Sequence, residues 1–362
     1  MALFDFLSGK PNPAKISKQA LAETNKVDPR VAQFWQEFSK LYANWDGEPS
    51  IDKMEAANNL LHVHFPQVIC EVSQRIVNGN AKTELVLTPD GNTAVLDDIF
   101  ALAKGAPRDI PIVLFRSAFL SNDNIAMNDN QGNEVTVENV TARIVSDQSR
   151  LSLILSYKGF SEKDLSDSRK MLMLMLAVHT LGELRFMASF FNWGFTFDGD
   201  NREQEIALHD VSKKLDEIWQ KRGRDGHFST TDESKFTVLR GTDGDDNPMI
   251  VTLNVDADRL VGVSEYYNTL IIENSFSTKD GLTIASDFAD LLASCLEVDQ
   301  TGLLTHIVFL PEAGERHCYF KIKNADAARL MVDLCRAKFK GIGEVRQTIE
   351  ADPSWAHYLL FA

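Results

Sequence analysis

Leu304 to Ile322 reads LTHIVFLPEAGERHCYFKI, two alternating runs joined at Pro311-Glu312-Ala313-Gly314, the pattern of a β-hairpin. With Ala313-Gly314 as the turn, a period of two puts Ile307, Phe309, Cys318, Phe320 and Ile322 on one face. That face is core. The opposite face carries His306, Val308, Leu310, His317, Tyr319 and Lys321, with Arg316 near the turn. Two histidines, a tyrosine and two aliphatics are unusual for bare solvent exposure. The face is either a binding surface, formed by His306, Arg316, His317, Tyr319 and Lys321, or it is covered by the first half of the same chain, since one-sided antiparallel sheets commonly carry mixed faces.

Upstream of the hairpin, strands are expected over 236–240, 249–255 and 269–276, then a helix over 284–296. Downstream come a helix over 325–339 and a strand over 343–349. The order β-β-β-α-β-β-α-β points to an α+β sandwich, with helices on one face of a mainly antiparallel sheet. The first half has a related content. A helix starts at Asp28-Pro29 with Phe34, Trp35, Phe38 and Leu41 at helical spacing, and another covers 51–62. Strands over 68–77 and 83–88 close on Pro89-Asp90-Gly91. A helix over 94–104 stops at Gly105, a buried strand spans 110–119, and strands over 135–145 and 151–157 complete the sheet, with a hairpin loop at Asn130 to Asn133. A helix over 168–190, apolar nearly all round in its first half, reads as buried between layers.

The fold class expected is therefore α+β, with two α/β sandwich domains. Residues 1–28, holding Gly9, Pro11 and Pro13, read as a loose N-terminal arm, and 29–195 as the N-terminal domain. Residues 196–234 read as a linker with a helix over 203–222, and 235–362 as the C-terminal domain. A chain of 362 residues suits two cores.

The net charge of −15 is unevenly placed: residues 1–195 carry 23 acids and 19 bases, the remainder 29 and 18. With no Lys/Arg-rich stripe, direct nucleic-acid binding is disfavoured, and an acidic half can meet a basic protein surface. Cys70, Cys295, Cys318 and Cys335 sit in apolar runs without a CxxC pair, as small hydrophobes in a reducing compartment do. Met1 to Ser8 lacks the pattern of a signal peptide, and the longest apolar block, Met171 to Val178, is far short of the ~20 residues that span a bilayer. A cytoplasmic location without membrane contact is the expectation.

The ending Asp352-Pro353-x-Trp355-x-x-Tyr358 resembles the terminal signature of an uncharacterised bacterial domain-of-unknown-function family. Gly314-x-Arg316-x-x-Tyr319-Phe320 is similar to that family's strand pair, and Asp280-Gly281-Leu282 precedes its helix, with Thr283 where such sequences often have proline. Phe34-Trp35, Glu84-Leu85 before Asp90-Gly91, Ala106-Pro107 before Phe115-Arg116, and Leu181-Gly182-Glu183 resemble a companion region. Some relatives resemble, or are fused to, a regulator of ribonuclease activity B-like domain. The resemblance implies the two-part α/β plan and no settled activity, cofactor or catalytic residue.

Among motifs that carry chemistry, His62 and His64 form an HxH pair with no Cys or acid partner nearby, so no metal is expected. Asp243-Gly244-Asp245-Asp246-Asn247 fails the calcium-loop test, with Pro248 and Asn254 where Gly and Glu are required, and reads as a tight acidic turn. Asp198-Gly199-Asp200 fails likewise. No phosphate loop, nucleophile elbow or dinucleotide fingerprint is present, so no cofactor is expected. Glu183 reads as a salt-bridged carboxylate with Arg185 near it in sequence, or as a general acid. At the C-terminus Asp352 reads as a helix cap, Pro353 as the first helical residue and Trp355 as a plug for the second core, away from Tyr319. These observations favour a non-enzymatic binding or regulatory module working through protein–protein contact. The alternatives are a hydrolase with Glu183, His317 and Arg316 between the halves, and an acidic inhibitor of a basic nuclease.

Overall fold

A computed structural model describes residues 11–26, 28–43, 51–77, 80–118, 125–128, 132, 134–159, 166–196 and 205–362. The expected start at 1–8, most of the loop at 130–133 and the Asp198-Gly199-Asp200 segment lie outside the described residues. The fold is α+β. The chain divides into two compact units, Met1–Lys26 with Arg222–Ala362, and Val27–Lys221.

The expected loose arm contains a helix, α1 (Pro13–Thr24). Asn12 accepts the N–H of Lys15 and Pro13 occupies the first turn, so the residues read as a loop are a helix start signal. Ile16 and Ala20, one turn apart, are buried in the core of the first-named unit.

In Val27–Lys221, α2 (Pro29–Tyr42) begins at the Asp28 cap and α3 (Ile51–His64) follows. Then come β1 (Ile69–Val77), β2 (Asn80–Thr88), α4 (Leu96–Lys104) and β3 (Ile112–Leu114). The rest is β4 (Ala126–Asn128), β5 (Glu134–Thr136), β6 (Val140–Asp147), β7 (Arg150–Tyr157), α5 (Asp167–Leu181), α6 (Glu183–Ser189), β8 (Asn192–Phe195), β9 (Ile206–Ala207) and α7 (Val211–Arg222). The one sheet expected here is divided into three: β1-β2-β3, β4-β5 and β8-β7-β6-β9. The 110–119 strand shrinks to three residues because Phe115, at φ 64, turns the chain out of the ladder. The 168–190 helix breaks at Gly182, whose φ is 83 and which has the backbone N of Ala118 3.3 Å from where a Cβ would stand. The helix expected as a linker packs Val211 and Leu215 into this unit's core beside Leu153 and Leu155. Among the described residues no single helix is long and apolar enough to cross a membrane. The pair α5 and α6, bent by 100°, reaches that length and composition together, with Leu172, Met173, Leu176 and Leu181 buried in the same core.

The other unit follows the expected order: β10 (Phe236–Thr242), β11 (Pro248–Asn254), β12 (Asn268–Ser275), α8 (Lys279–Val298), β13 (Gly302–Leu310), β14 (Glu315–Ile322), α9 (Ala325–Arg336), β15 (Val345–Ala351) and a short α10 (Ala356–Leu359). Six strands lie in the order β10-β11-β13-β14-β12-β15, every pair antiparallel. Thr278 and Asn324 cap α8 and α9 through the N–H groups of Gly281 and Ala327. These helices and α1 bury Leu270, Ile272, Leu304, Cys318, Phe320 and Ile322 on one sheet face. At the hairpin turn Gly314 has φ 64, and a Cβ there would stand 2.5 Å from the carbonyl oxygen of Phe276. The second face packs on the 3-10 segment Val255–Leu260 and on the C-terminal residues, which share a smaller core of Leu253, Leu260, Tyr266, Leu303, Trp355 and Tyr358.

Candidate interaction surface

The β13–β14 hairpin divides its side chains as its alternation predicts. A bulge between Leu304 and His306 sets His306 opposite Tyr319 and keeps Ile307 opposite Cys318. The expected binding surface, however, is largely interior. His306 and Lys321 are each 1% exposed, because the segment from Asp352 to the C-terminus lies over them. Lys321 Nζ donates to Asp352 Oδ2 at 3.0 Å and to the Asp352 carbonyl, and sits 5.1 Å from the Trp355 ring centre. The His306 ring stacks on Tyr319 at 4.1 Å and meets Phe361 at 5.2 Å. Its Nδ1 is 3.1 Å from the Thr305 hydroxyl, and its Nε2 has no partner among the described residues. Burial, reinforced by the charge of His357, pushes the imidazole down to about 3. Burial also opposes charge on both members of the Lys321–Asp352 pair. Asp352 still stays below the usual carboxylate range, because Lys321 and the Ala356 N–H both favour its charged form. Burial draws Lys321 down to about 8 even though that carboxylate favours its charged form.

Asp352 does cap the C-terminal turn, accepting from Ala356 at 2.6 Å. The helix begins three residues later than expected, after Trp355 at φ 59, and Pro353 precedes it. Trp355 is buried as expected, but on the same sheet face as Tyr319, in the smaller core. Arg316 leaves the set: it shares the helix-side face with Cys318 and donates to the Ala285 carbonyl at 3.2 Å. His317 pairs with Glu315 at 3.2 Å, and Tyr319 is half-buried with His357 5.7 Å away. Beside them opens a shallow cavity of ≈ 210 Å³ lined by Glu273, Ser275, Glu315, His317, Glu344 and Arg346.

Glu183 belongs to the Val27–Lys221 unit, and Arg316 and His317 to the other. Its partner is Arg116, not Arg185, which pairs with Asp216. One guanidinium holds three carboxylates: Glu71 at 2.5 Å, Asp90 at 2.7 Å and Glu183 at 3.4 Å. Thr88 Oγ1 and the Arg116 N–H also donate to Glu183, at 2.7 and 3.1 Å. Burial nevertheless raises the Glu183 carboxyl above its ordinary value. The cluster ties the C-terminal ends of the parallel strands β2 and β3 to the start of α6, and Phe115 at φ 64 is the residue that aims Arg116 inward. His62 and His64, two apart on α3, contact the Pro66 carbonyl and Glu37 respectively.

Sequence reading missed an open apolar surface of the unit that holds the six-stranded sheet, the strand β10. It starts the sheet order and, among the described residues, pairs with β11 alone. Phe236, Val238 and Leu239 are 37%, 59% and 38% exposed, and Arg240 is the one charge in the seven residues. The Lys235 carbonyl accepts from Val255 and the Asp243 N–H donates to Asn247, so odd-numbered residues turn their backbone groups toward β11. By alternation, the N–H and C=O groups of Phe236, Val238, Arg240 and Thr242 point to the free edge. Asp243 also holds the adjoining turn, accepting from the N–H groups of Asp245 and Asn247, each at 2.9 Å. The signal available in the sequence was the run Phe236-Thr237-Val238-Leu239, apolar on both faces of a strand where a covered strand needs only one. Compared with family models, with curated proteins and with solved structures, the chain matches none.

Proposed function

We propose that this chain is a non-enzymatic binding or regulatory module that works through protein–protein contact, taking an extended strand of its partner along the free edge of β10. The observation that supports it is that edge: seven residues exposed throughout, three of them large and apolar, with outward backbone donors and acceptors that no other strand takes among the described residues. Lone chains guard such edges with charges, prolines or bulges. Here one arginine stands guard. Strand addition supplies affinity through main-chain hydrogen bonds and selectivity through alternate side chains.

The test is peptide selection. Random peptides displayed on phage are selected on the full chain, and their binding is measured by fluorescence anisotropy to wild type and to Val238→Pro. The Val238 N–H points away from β11, so proline removes an edge donor while the β10–β11 ladder persists. Selected peptides are expected to bind the variant at least tenfold more weakly, with the melting temperature of the chain unchanged. Equal binding to both proteins refutes strand addition at β10.

A further inference from the structure

Resting on the strand-addition reading, we infer that the partner strand is β10 of a second copy of this chain, paired antiparallel about a two-fold axis at Leu239. A two-fold axis makes an isologous contact, so the strand must be complementary to itself. With the axis at Leu239, residues whose numbers share an equal distance from 239 face each other. Phe236 meets Thr242, Val238 meets Arg240, and Leu239 meets Leu239 of the second copy. The residues that meet in hydrogen-bonded fashion are then the even-numbered ones, whose backbone groups already point outward. About eight inter-chain hydrogen bonds result, two per pair.

Charge selects this register over its neighbours. Lys235 comes opposite Asp243 of the second copy, at both ends of the ladder, on the face that also carries Leu239. An axis one residue earlier, at Val238, sets Lys235 against Gly241 of the second copy and leaves Asp243 opposite the turn at 231–234, so neither end gains an ion pair. An axis one residue later, at Arg240, sets Arg240 against itself. Like charges directly opposite are destabilising in sheets, and opposite ones contribute. Axes farther out lose most of the strand overlap. The one guarding charge, Arg240, lies across from Val238, where its aliphatic stem covers an exposed apolar residue. The two sheets thereby join into a continuous one across the axis.

Sedimentation equilibrium from micromolar to hundreds of micromolar wild-type chain should show a monomer–dimer equilibrium. Leu239→Cys is the register test. Facing residues of a non-hydrogen-bonded pair have Cα atoms about 4.5 Å apart, within disulfide reach. Mild oxidation should therefore link Leu239→Cys into a dimer, whereas Thr237→Cys, which faces Gly241 of the second copy, should not link. The native Cys70, Cys295, Cys318 and Cys335 are buried and do not compete. Lys235→Glu should weaken the dimer roughly tenfold or more, since it sets acid against acid at both ends. Three results are decisive. A chain that stays monomeric throughout, yet still loses selected peptides on Val238→Pro, overturns the second copy and leaves strand addition standing. A dimer that ignores Val238→Pro and does not cross-link through Leu239→Cys lies elsewhere and also overturns the inference. Peptides and dimer both indifferent to Val238→Pro overturn both readings.

Discussion

His306 takes its chemistry from its surroundings, stacked on Tyr319 and tilted against Phe361, with no partner at Nε2 among the described residues. The ring titrates at about 3 in the fold against 6.5 ordinarily, so between those values the unfolded chain holds a proton that the fold refuses. The stability provided by the neutral ring is complete above pH 6.5 and is lost as pH falls from there toward 3, by up to about 1.4 kcal/mol per pH unit. Urea unfolding of wild type and His306→Phe at several pH values below neutrality checks this. The variant should lose less stability than wild type on acidification, and parallel losses would show that His306 does not titrate on unfolding. Residue type and alternation put His306, Tyr319 and Lys321 on one face in the sequence itself. What covers that face was not legible, because a buried lysine looks like a surface lysine until its carboxylate, 31 positions later, is seen beside it.

Among the elements, the C-terminal turn has the widest influence for its size. Trp355, Tyr358 and Leu359 form much of the smaller core, and Tyr358 donates to the Asn254 carbonyl at 3.0 Å. Trp355→Ala should destabilise by about 3–5 kcal/mol, as truncation of a buried aromatic does. Tyr319→Ala should cost about 2 kcal/mol, since the half-buried ring loses its stack on His306. Thermal melts of both variants decide the matter, and a Tyr319→Ala protein as stable as wild type would show that this face is not packed inside the molecule. The element order from β10 to β15 was readable because each segment has strong local periodicity and clear caps. The breaks at Phe115 and Gly182 were not, because positive φ at a phenylalanine has no local signal and a single glycine within a helix pattern is usually tolerated.

For the molecule as a whole, the unit that holds the six-stranded sheet is discontinuous in sequence: α1 precedes Val27–Lys221, and the other parts follow it. Such an arrangement cannot be seen from local pattern, since Ile16 and Ala20 say that α1 is amphipathic and nothing about which core takes it. A fragment covering 222–362 should therefore be incomplete along α8 and α9. A synthetic peptide of residues 11–26 should raise its melting temperature in a concentration-dependent way. No rise at saturating peptide would mean that α1 adds no stability to that core.

The hydrogen bond from Ser17 to Asp299 spans 282 positions. Protein synthesis at about 5–20 residues per second inserts roughly 15–60 s between the appearance of the donor and that of its acceptor. For most of that interval α1 is complete while the helices α8 and α9, which will cover Ile16 and Ala20, have not been made. Its apolar stripe thus waits uncovered while the residues of Val27–Lys221 are made in between.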